Sequence, residues 1–140
     1  MRGVDVVVVG AGPGGMSAAL WAHRLELDVL LVDAAEGVGG QLSDLHNPIV
    51  DYLGIPVDRG IDLRRSFQAH LEEHEVPTRL RARVTAIGTD PLRIRLPEGD
   101  VGCRWLVVAT GSCRRALGVP GEDRLRLKGV SDSASRDRAM

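Results

Sequence analysis

The segment from Val4 to Asp33 constrains this 140-residue chain most, because its pattern is that of a strand, a glycine-rich turn, a helix and a second strand. Val6 to Val9 is a β-branched apolar run, as expected for a strand buried on both faces of a parallel sheet. It leads directly into a GxGxxG turn at residues 10–15. The second strand, Val29 to Val32, ends at Asp33, whose carboxylate can accept hydrogen bonds from a ribose. This order predicts a dinucleotide site.

The residues of the turn have distinct tasks in such a site. Gly10 permits the tight turn, Gly12 lets backbone N–H groups approach a pyrophosphate, and Gly15 lets the helix lie close to the strand. Pro13 and Gly14 complete the turn, and the helix that follows directs its positive N-terminal end at the phosphates. The alternative is a glycine turn in an ordinary βαβ unit, since a GxGxxG pattern alone is weak evidence.

The composition excludes several classes of function. The net charge is −1, from 18 basic and 19 acidic residues, so the charge balance indicates no nucleic-acid partner. The aromatic residues are two Trp, one Tyr and one Phe, too few to form a stacking platform for single strands. No apolar run reaches membrane-spanning length, and the first strand starts almost at Met1 without a signal peptide. We therefore expect a cytoplasmic protein.

Neither the cysteines nor the histidines predict a metal site. Cys103 and Cys113 stand ten positions apart, which is no metal-ligand or CxxC spacing. We expect Cys103 to be a small core residue, and a redox role for Cys113 is the less favoured alternative. The segment from His70 to His74 matches the H-x-x-E-H zinc-protease pattern, but no third ligand is evident. A helix at the edge of the core is the favoured interpretation.

Beyond the first unit, the pattern predicts a loop, a helix, three strands and a polar tail. The long irregular stretch from Gln41 to Pro56 is of a length typical of functional loops. The helix and strands are expected at Ile61 to His74, Arg79 to Ile87, Leu92 to Leu96 and Cys103 to Ala109, with a tail from Leu125. The segment Trp105 to Val108 is apolar and predicts a buried strand. The expected fold class is α/β, a Rossmann-like parallel sheet with flanking helices and a small antiparallel β insertion.

Four segments together resemble the flavin-binding half of thioredoxin-reductase-like pyridine nucleotide-disulfide oxidoreductases. They are the turn at residues 10–15, Gly39-Gly40-Gln41-Leu42, Val107-Val108-Ala109-Thr110-Gly111, and Gly118-Val119-Pro120-Gly121 with Lys128-Gly129-Val130-Ser131. They follow the family's order and extend over essentially the whole chain. The resemblance implies FAD as the cofactor. It also implies an incomplete FAD-binding domain at residues 1–127, and a linker at residues 128–140 toward an absent NAD(P)H domain.

The resemblance also implies a place for individual residues around FAD. Those expected to contact the cofactor are Gly10, Gly12, Pro13, Gly14, Gly15, Asp33, Gly40, Gln41, Leu42, Asp51, Val84, Ala109, Thr110 and Gly111. Asp33 would bind the adenosine ribose, and backbone groups near Arg83 and Val84 would contact the adenine. Gln41 and the loop from Pro48 to Gly54, which contains Asp51, would face the isoalloxazine ring. No side chain is expected to act as a general acid or base.

The chain departs from the family in three ways. Thioredoxin reductases carry C-A-T-C-D after Gly-Val-Ser, whereas Ser133 and Arg136 occupy the two cysteine positions here, so no redox disulfide can form there. Asp51 replaces the usual Asn and favours the ferredoxin/flavodoxin–NADP reductase branch. The chain also stops at Met140, about where the NAD(P)H domain would begin, so we expect a fragment or a shortened gene.

The expected function is that of the FAD-binding portion of an NAD(P)H-dependent flavoprotein oxidoreductase without a redox dithiol. The expected partners are FAD, a second copy or second subunit, and a ferredoxin-like or other electron acceptor. The alternatives are a stand-alone module that binds FAD or an adenine nucleotide, a remnant of a shortened gene, and an NAD-binding dehydrogenase module. An NAD-binding dehydrogenase module would not account for the GGQL and ATG segments.

Overall fold

The computed structural model describes residues 3–131 and 133. These residues form a single six-stranded sheet with flanking helices. The strands are β1 (Gly3–Val9), β2 (Val29–Val32), β3 (Thr78–Arg79), β4 (Ala86–Thr89), β5 (Leu92–Leu96) and β6 (Gly99–Val108). Their order across the sheet is β3-β2-β1-β6-β5-β4. β3, β2, β1 and β6 pair in parallel, and β4 and β5 extend the sheet with antiparallel pairing. The expected Rossmann-like sheet with a small antiparallel addition is confirmed.

The helices are α1 (Pro13–Arg24), α2 (Gly60–Glu73) and the short α3 (Glu122–Leu125), and a 3-10 helix covers Gly40–Asp44. α1 begins with proline, whose fixed φ and missing N–H suit the first helical position. It buries the small residues Gly15, Ala19 and Ala22, which allow close approach to the sheet. Among the described residues, no helix combines the length and apolar character needed to cross a membrane.

The core occupies both faces of the sheet. On the face toward α1 and α2, Val6, Val8 and Leu31 pack with Met16 and Leu71. The opposite face holds a second cluster of buried residues, Val7, Val32, Ala82, Ile94 and Leu96. Consecutive residues of β1 are therefore buried on alternate faces, which explains the uninterrupted valine run.

The single strand expected from Arg79 to Ile87 is wrong. The structure divides it into β3 and β4, with an irregular connection between them. Arg81 takes a left-handed φ of 55°, and its N–H donates to the carbonyl of Ala35 rather than to a neighbouring strand. Ala82 is nevertheless buried while Arg81 and Arg83 are exposed, so the irregular segment reproduces the alternation of a strand.

The expected burial of Trp105 to Val108 is only partly correct. β6 pairs in parallel with β1, as predicted, but Trp105 is 49% exposed and Val108 is 64% exposed. Within the described chain, α1 lies mainly over β1 and β2 and covers less of β6. The guanidinium of Arg104 instead stacks on the Trp105 ring, with its central carbon 4.3 Å from the ring centroid.

Candidate dinucleotide site

The turn between β1 and α1 contains two glycines that the packing of the chain itself requires. Gly10 has a φ of +106°, and a Cβ at this residue would collide with the carbonyl oxygen of Ala109. A Cβ at Gly15 would collide with the carbonyl oxygen of Gly10. These two positions therefore fix the tight turn and the close approach of α1 to the sheet, as the spacing predicts.

Gly12 and Gly14 have no such requirement from the chain. A Cβ at either residue would meet no atom within 4 Å, and Gly12 has φ −73° and ψ 178°, which any residue adopts. Gly12 is also the N-cap of α1, and no side chain caps this helix. The first-turn N–H groups therefore border open space, where the helix dipole favours an anion. This space fits the approach of a pyrophosphate.

Asp33 lies at the carboxyl end of β2 and contacts the glycine turn. Its Oδ2 accepts a hydrogen bond from the N–H of Ala11 at 2.6 Å, and its Oδ1 accepts one from the N–H of Ala35 at 2.7 Å. An ionised carboxylate offers about four acceptor positions, so Asp33 can accept further hydrogen bonds from a ligand.

A second glycine-rich loop lies directly against the first. The N–H of Gly39 donates to the carbonyl of Ala11 at 2.7 Å, and the Cβ position of Gly40 is 3.2 Å from the Cα of Gly12. Both Gly39 and Gly40 have positive φ, at 113° and 51°, so the bend depends on glycine. The side chain of Leu42 is buried in the 3-10 helix that follows.

A third loop follows β6 and lies beside the two glycine-rich loops. The N–H of Ala109 donates to the carbonyl of Val9 at 2.8 Å, after which Thr110 and Gly111 are exposed. The Nε2 of Gln41 donates to the carbonyl of Ser112 at 2.6 Å and thereby joins the second loop to the third. Three of the predicted segments thus converge at the carboxyl ends of parallel strands, where ligands bind in open α/β sheets.

A cavity of about 770 Å³ opens beside the Gln41–Ser112 contact. It is lined by Gln41, Asp44, Leu45, His46, Asn47, Ser112, Cys113, Arg114, Arg126 and Ser133. Ser133, which occupies one of the two expected cysteine positions, therefore lines the same cavity as Gln41. The second such position, Arg136, is outside the residues that the structure describes.

Two predicted contact residues lie outside the three loops. Asp51 is exposed in a loop closed by an Ile49–Val57 bridge. Its neighbour Tyr52 lines an apolar cavity of about 240 Å³ with Pro13, so this loop borders the glycine turn on its helical side. Val84 is half-buried and packs against the second core cluster, which leaves its backbone as the group that could contact an adenine.

The two cysteines are free thiols, and two of the histidines lie close together at the end of α2. Cys103 packs against the second core cluster, and burial raises the pKa of its thiol, whereas Cys113 is exposed. The rings of His70 and His74 lie 5.0 Å apart on α2. In the described part of the chain, no group of three or more His, Cys, Asp or Glu residues could hold a metal.

One residue beside the loops was not indicated by the sequence. The side chain of Arg64 lies against Gly39, and its Nη1 donates to the Oγ of Ser43 at 3.1 Å. Arg64 follows the buried Leu63 on an amphipathic helix, where an arginine is ordinarily a solvated residue, so the local pattern carried no indication of this contact.

The fold and the three converging loops are those of a dinucleotide-binding domain. The chain belongs to the pyridine nucleotide-disulphide oxidoreductase family, whose model matches residues 4–139. This family and its thioredoxin reductase members are FAD-binding flavoprotein oxidoreductases, and the chain corresponds to their FAD-binding part.

Individual relatives agree with this assignment. The chain is 31% identical to a thioredoxin reductase of Peptoclostridium litorale over 95% of its own length and 42% of the relative. It is 32% identical to one component of the alkyl hydroperoxide reductase of Staphylococcus epidermidis over 91% of its length and 25% of the relative. The crystal structure of Lactococcus lactis thioredoxin reductase superimposes with a TM-score of 0.82 at 32% identity, over 97% of this chain and 45% of that one. The chain thus spans less than half the length of these relatives.

Proposed function

We propose that the chain is the FAD-binding portion of an NAD(P)H-dependent flavoprotein oxidoreductase that lacks a redox dithiol. The observation that carries this proposal is the convergence of three glycine-containing loops at the carboxyl ends of β1, β2 and β6. Gly12 supports it further, because nothing in the chain's own packing requires glycine there and a close ligand does.

The residues present fit FAD. The N–H groups at the start of α1 would bind its pyrophosphate, Asp33 its adenosine ribose, and the backbone near Val84 its adenine. Gly40, Gln41 and the loop that holds Asp51 would border its isoalloxazine end, with Thr110 on the opposite side. When bound, FAD supplies the redox chemistry through this ring, and the chain binds and orients it.

The lack of a redox dithiol determines which kind of electron acceptor we expect. The chain has two cysteines, Cys103 and Cys113, and neither belongs to a CxxC pair. A serine hydroxyl at residue 133 cannot form a disulfide. We therefore infer an external acceptor, and the acid at Asp51 favours a ferredoxin-like protein by resemblance. The chain has one GxGxxG turn, so another domain or subunit would bind NAD(P)H. A homodimer and a cytoplasmic location are further parts of the proposal.

The visible absorption spectrum tests the cofactor assignment directly. The purified chain is passed over a gel-filtration column before and after incubation with FAD, and with NADH in a parallel sample. Flavin absorption that co-elutes with the protein is the expected result. A colourless protein that retains neither added FAD nor NADH would refute the proposal, and retention of NADH alone would favour a dehydrogenase module.

A stand-alone adenine-nucleotide module is the second candidate, and one observation favours it. The glycine turn and Asp33 form a continuous unit held by its own hydrogen bonds, so the adenosine diphosphate half needs no second domain. ADP would then displace FAD with nearly equal affinity. In the first proposal, contacts to the flavin end make FAD bind more tightly than ADP.

A further inference from the structure

Arg64 of α2 lies across the second glycine-rich loop. A Cβ at Gly39 would collide with the Cγ of Arg64 and lie 2.6 Å from its Cδ, so the arginine stem occupies the space that the absent side chain leaves. The Nη2 of Arg64 is 3.7 Å from the Cβ position of Gly37. The side chain therefore runs along the loop rather than away into solvent.

The guanidinium of Arg64 also contacts the other end of this loop, at Ser43. Its Nη1 donates to the Oγ of Ser43 at 3.1 Å. Its Nε is buried and has no hydrogen-bond partner among the described residues. In contrast, the adjacent Arg65 is exposed and pairs with Asp62 at 3.4 Å.

The segment under Arg64, residues 37–43, contacts both other loops. Gly39 donates to the carbonyl of Ala11, and Gly40 lies against Gly12 in the first loop. Gln41 donates to the carbonyl of Ser112 in the third loop. A displacement of this segment would therefore change the spacing between all three loops.

We infer that Arg64 is a positioning residue, which holds residues 37–43 against the first loop so that Gln41 can hold the third. The inference rests on the proposed function for the identity of the ligand, FAD. Its structural part, the restraint of the loop, is independent of any ligand. Arg64 acts through Gly39 and Ser43 and touches no reacting group.

Hydrogen exchange on the ligand-free chain tests the structural part. The variants are Arg64→Ala, which removes the stem and the donor, and Arg64→Met, which keeps an apolar stem without the donor. Peptides covering residues 37–43 should exchange about tenfold faster in Arg64→Ala, with a smaller increase in Arg64→Met. The control Arg65→Met should match the wild type. Unchanged exchange in both Arg64 variants would overturn the inference.

Cofactor titration tests the consequence for the site. Arg64→Ala should weaken FAD binding about tenfold and change the absorption spectrum of the bound flavin, while ADP affinity changes less than about twofold. Arg64→Lys, which keeps the stem and a donor, should restore most of the affinity. Equal losses for FAD and ADP, or none, would contradict the positioning role. A wild-type chain that binds neither ligand would instead refute the proposed function, and the exchange data would still decide the role of Arg64.

Discussion

The Oδ2 of Asp33 and the backbone N–H of Ala11 are joined by a hydrogen bond of 2.6 Å. The contact links the end of β2 to the glycine turn that follows β1, across 22 positions of sequence. Since Oδ1 of the same carboxylate accepts from Ala35, Asp33 fixes the local backbone on two sides. The residue that we propose as the ribose ligand is thus also part of the turn that would bind the pyrophosphate.

Replacing this carboxylate should weaken cofactor binding and reduce stability. We expect Asp33→Ala to weaken FAD binding by about 1–3 kcal/mol, because the hydrogen bonds to the ribose are lost. The free energy of unfolding should fall by about 1 kcal/mol, because the N–H of Ala11 loses its acceptor. FAD titration and urea unfolding measure the two effects. The control is Asp28→Ala. Asp28 is exposed just before the amino end of β2, so this substitution should change neither FAD affinity nor the free energy of unfolding. An unaltered FAD affinity in Asp33→Ala would mean that the ribose assignment is wrong.

Two alanine substitutions in the glycine turn should have opposite consequences. Gly12→Ala should leave the free energy of unfolding unchanged within about 0.5 kcal/mol, because its Cβ meets open space at an allowed φ. It should weaken FAD binding about tenfold or more, because the methyl group would occupy the space of the pyrophosphate. Gly10→Ala should lower the free energy of unfolding by about 2 kcal/mol or more, because its Cβ would collide with Ala109 at a positive φ. Normal FAD binding by Gly12→Ala would argue against a ligand at this turn.

The first βαβ unit was predictable because its determinants are local. The valine run of β1 and the glycine spacing lie within one short segment, and both predict the observed elements. The prediction of a strand from Arg79 to Ile87 was wrong, because an irregular segment there has the burial pattern of a strand: Ala82 is buried between two exposed arginines. The periodicity of apolar residues predicts which residues are buried. It does not predict the hydrogen-bond acceptor of a backbone N–H such as that of Arg81.

The resemblance indicated the segments of the candidate site, but the sequence did not indicate the contacts between them. The resemblance located Gln41 and the segment Ala109 to Gly111, yet their link through Ser112 spans 71 positions and has no pattern in the sequence. The contact of Arg64 with Gly39 is of the same kind, since a lone arginine on an amphipathic helix is normally solvated. Such contacts depend on how separate elements pack, and packing is decided by the whole sheet. The roles of the individual residues toward FAD stay predictions.

Two isoleucines that face each other in the antiparallel part of the sheet provide a test of the second core. Ile94 of β5 is fully buried, whereas its partner in the register, Ile87 of β4, is 51% exposed. Ile94→Ala should lower the free energy of unfolding by about 2–4 kcal/mol, because it leaves a cavity. Ile87→Ala should lower it by less than about 1 kcal/mol, because the edge residue loses little buried area. Similar losses for both variants, measured by urea unfolding, would show that Ile94 is assigned incorrectly to the second cluster of the core.

The carboxylate of Asp100 should make stability depend on pH in a defined direction. Arg95 donates to Asp100 through Nε at 2.9 Å and Nη2 at 3.2 Å, and these hydrogen bonds hold the pKa of Asp100 below its usual 3.8. Because the folded chain favours the ionised form, the contribution of this pair is fully present above the ordinary pKa and is lost as the pH falls through the lowered one. We therefore expect wild type and Asp100→Asn to differ in unfolding free energy near neutral pH and to converge below about pH 4.

Urea unfolding from pH 3 to 7 measures this difference, and repeating it at high salt separates the ion pair from other effects. Because Arg95 is exposed and Asp100 is partly exposed, salt should screen the pair and reduce the difference at neutral pH. Asp28→Asn, at an exposed aspartate just before β2, is the control for the removal of a surface carboxylate. A difference between wild type and Asp100→Asn that stays constant across the range would show that Asp100 acts through packing in the hairpin and not through its charge.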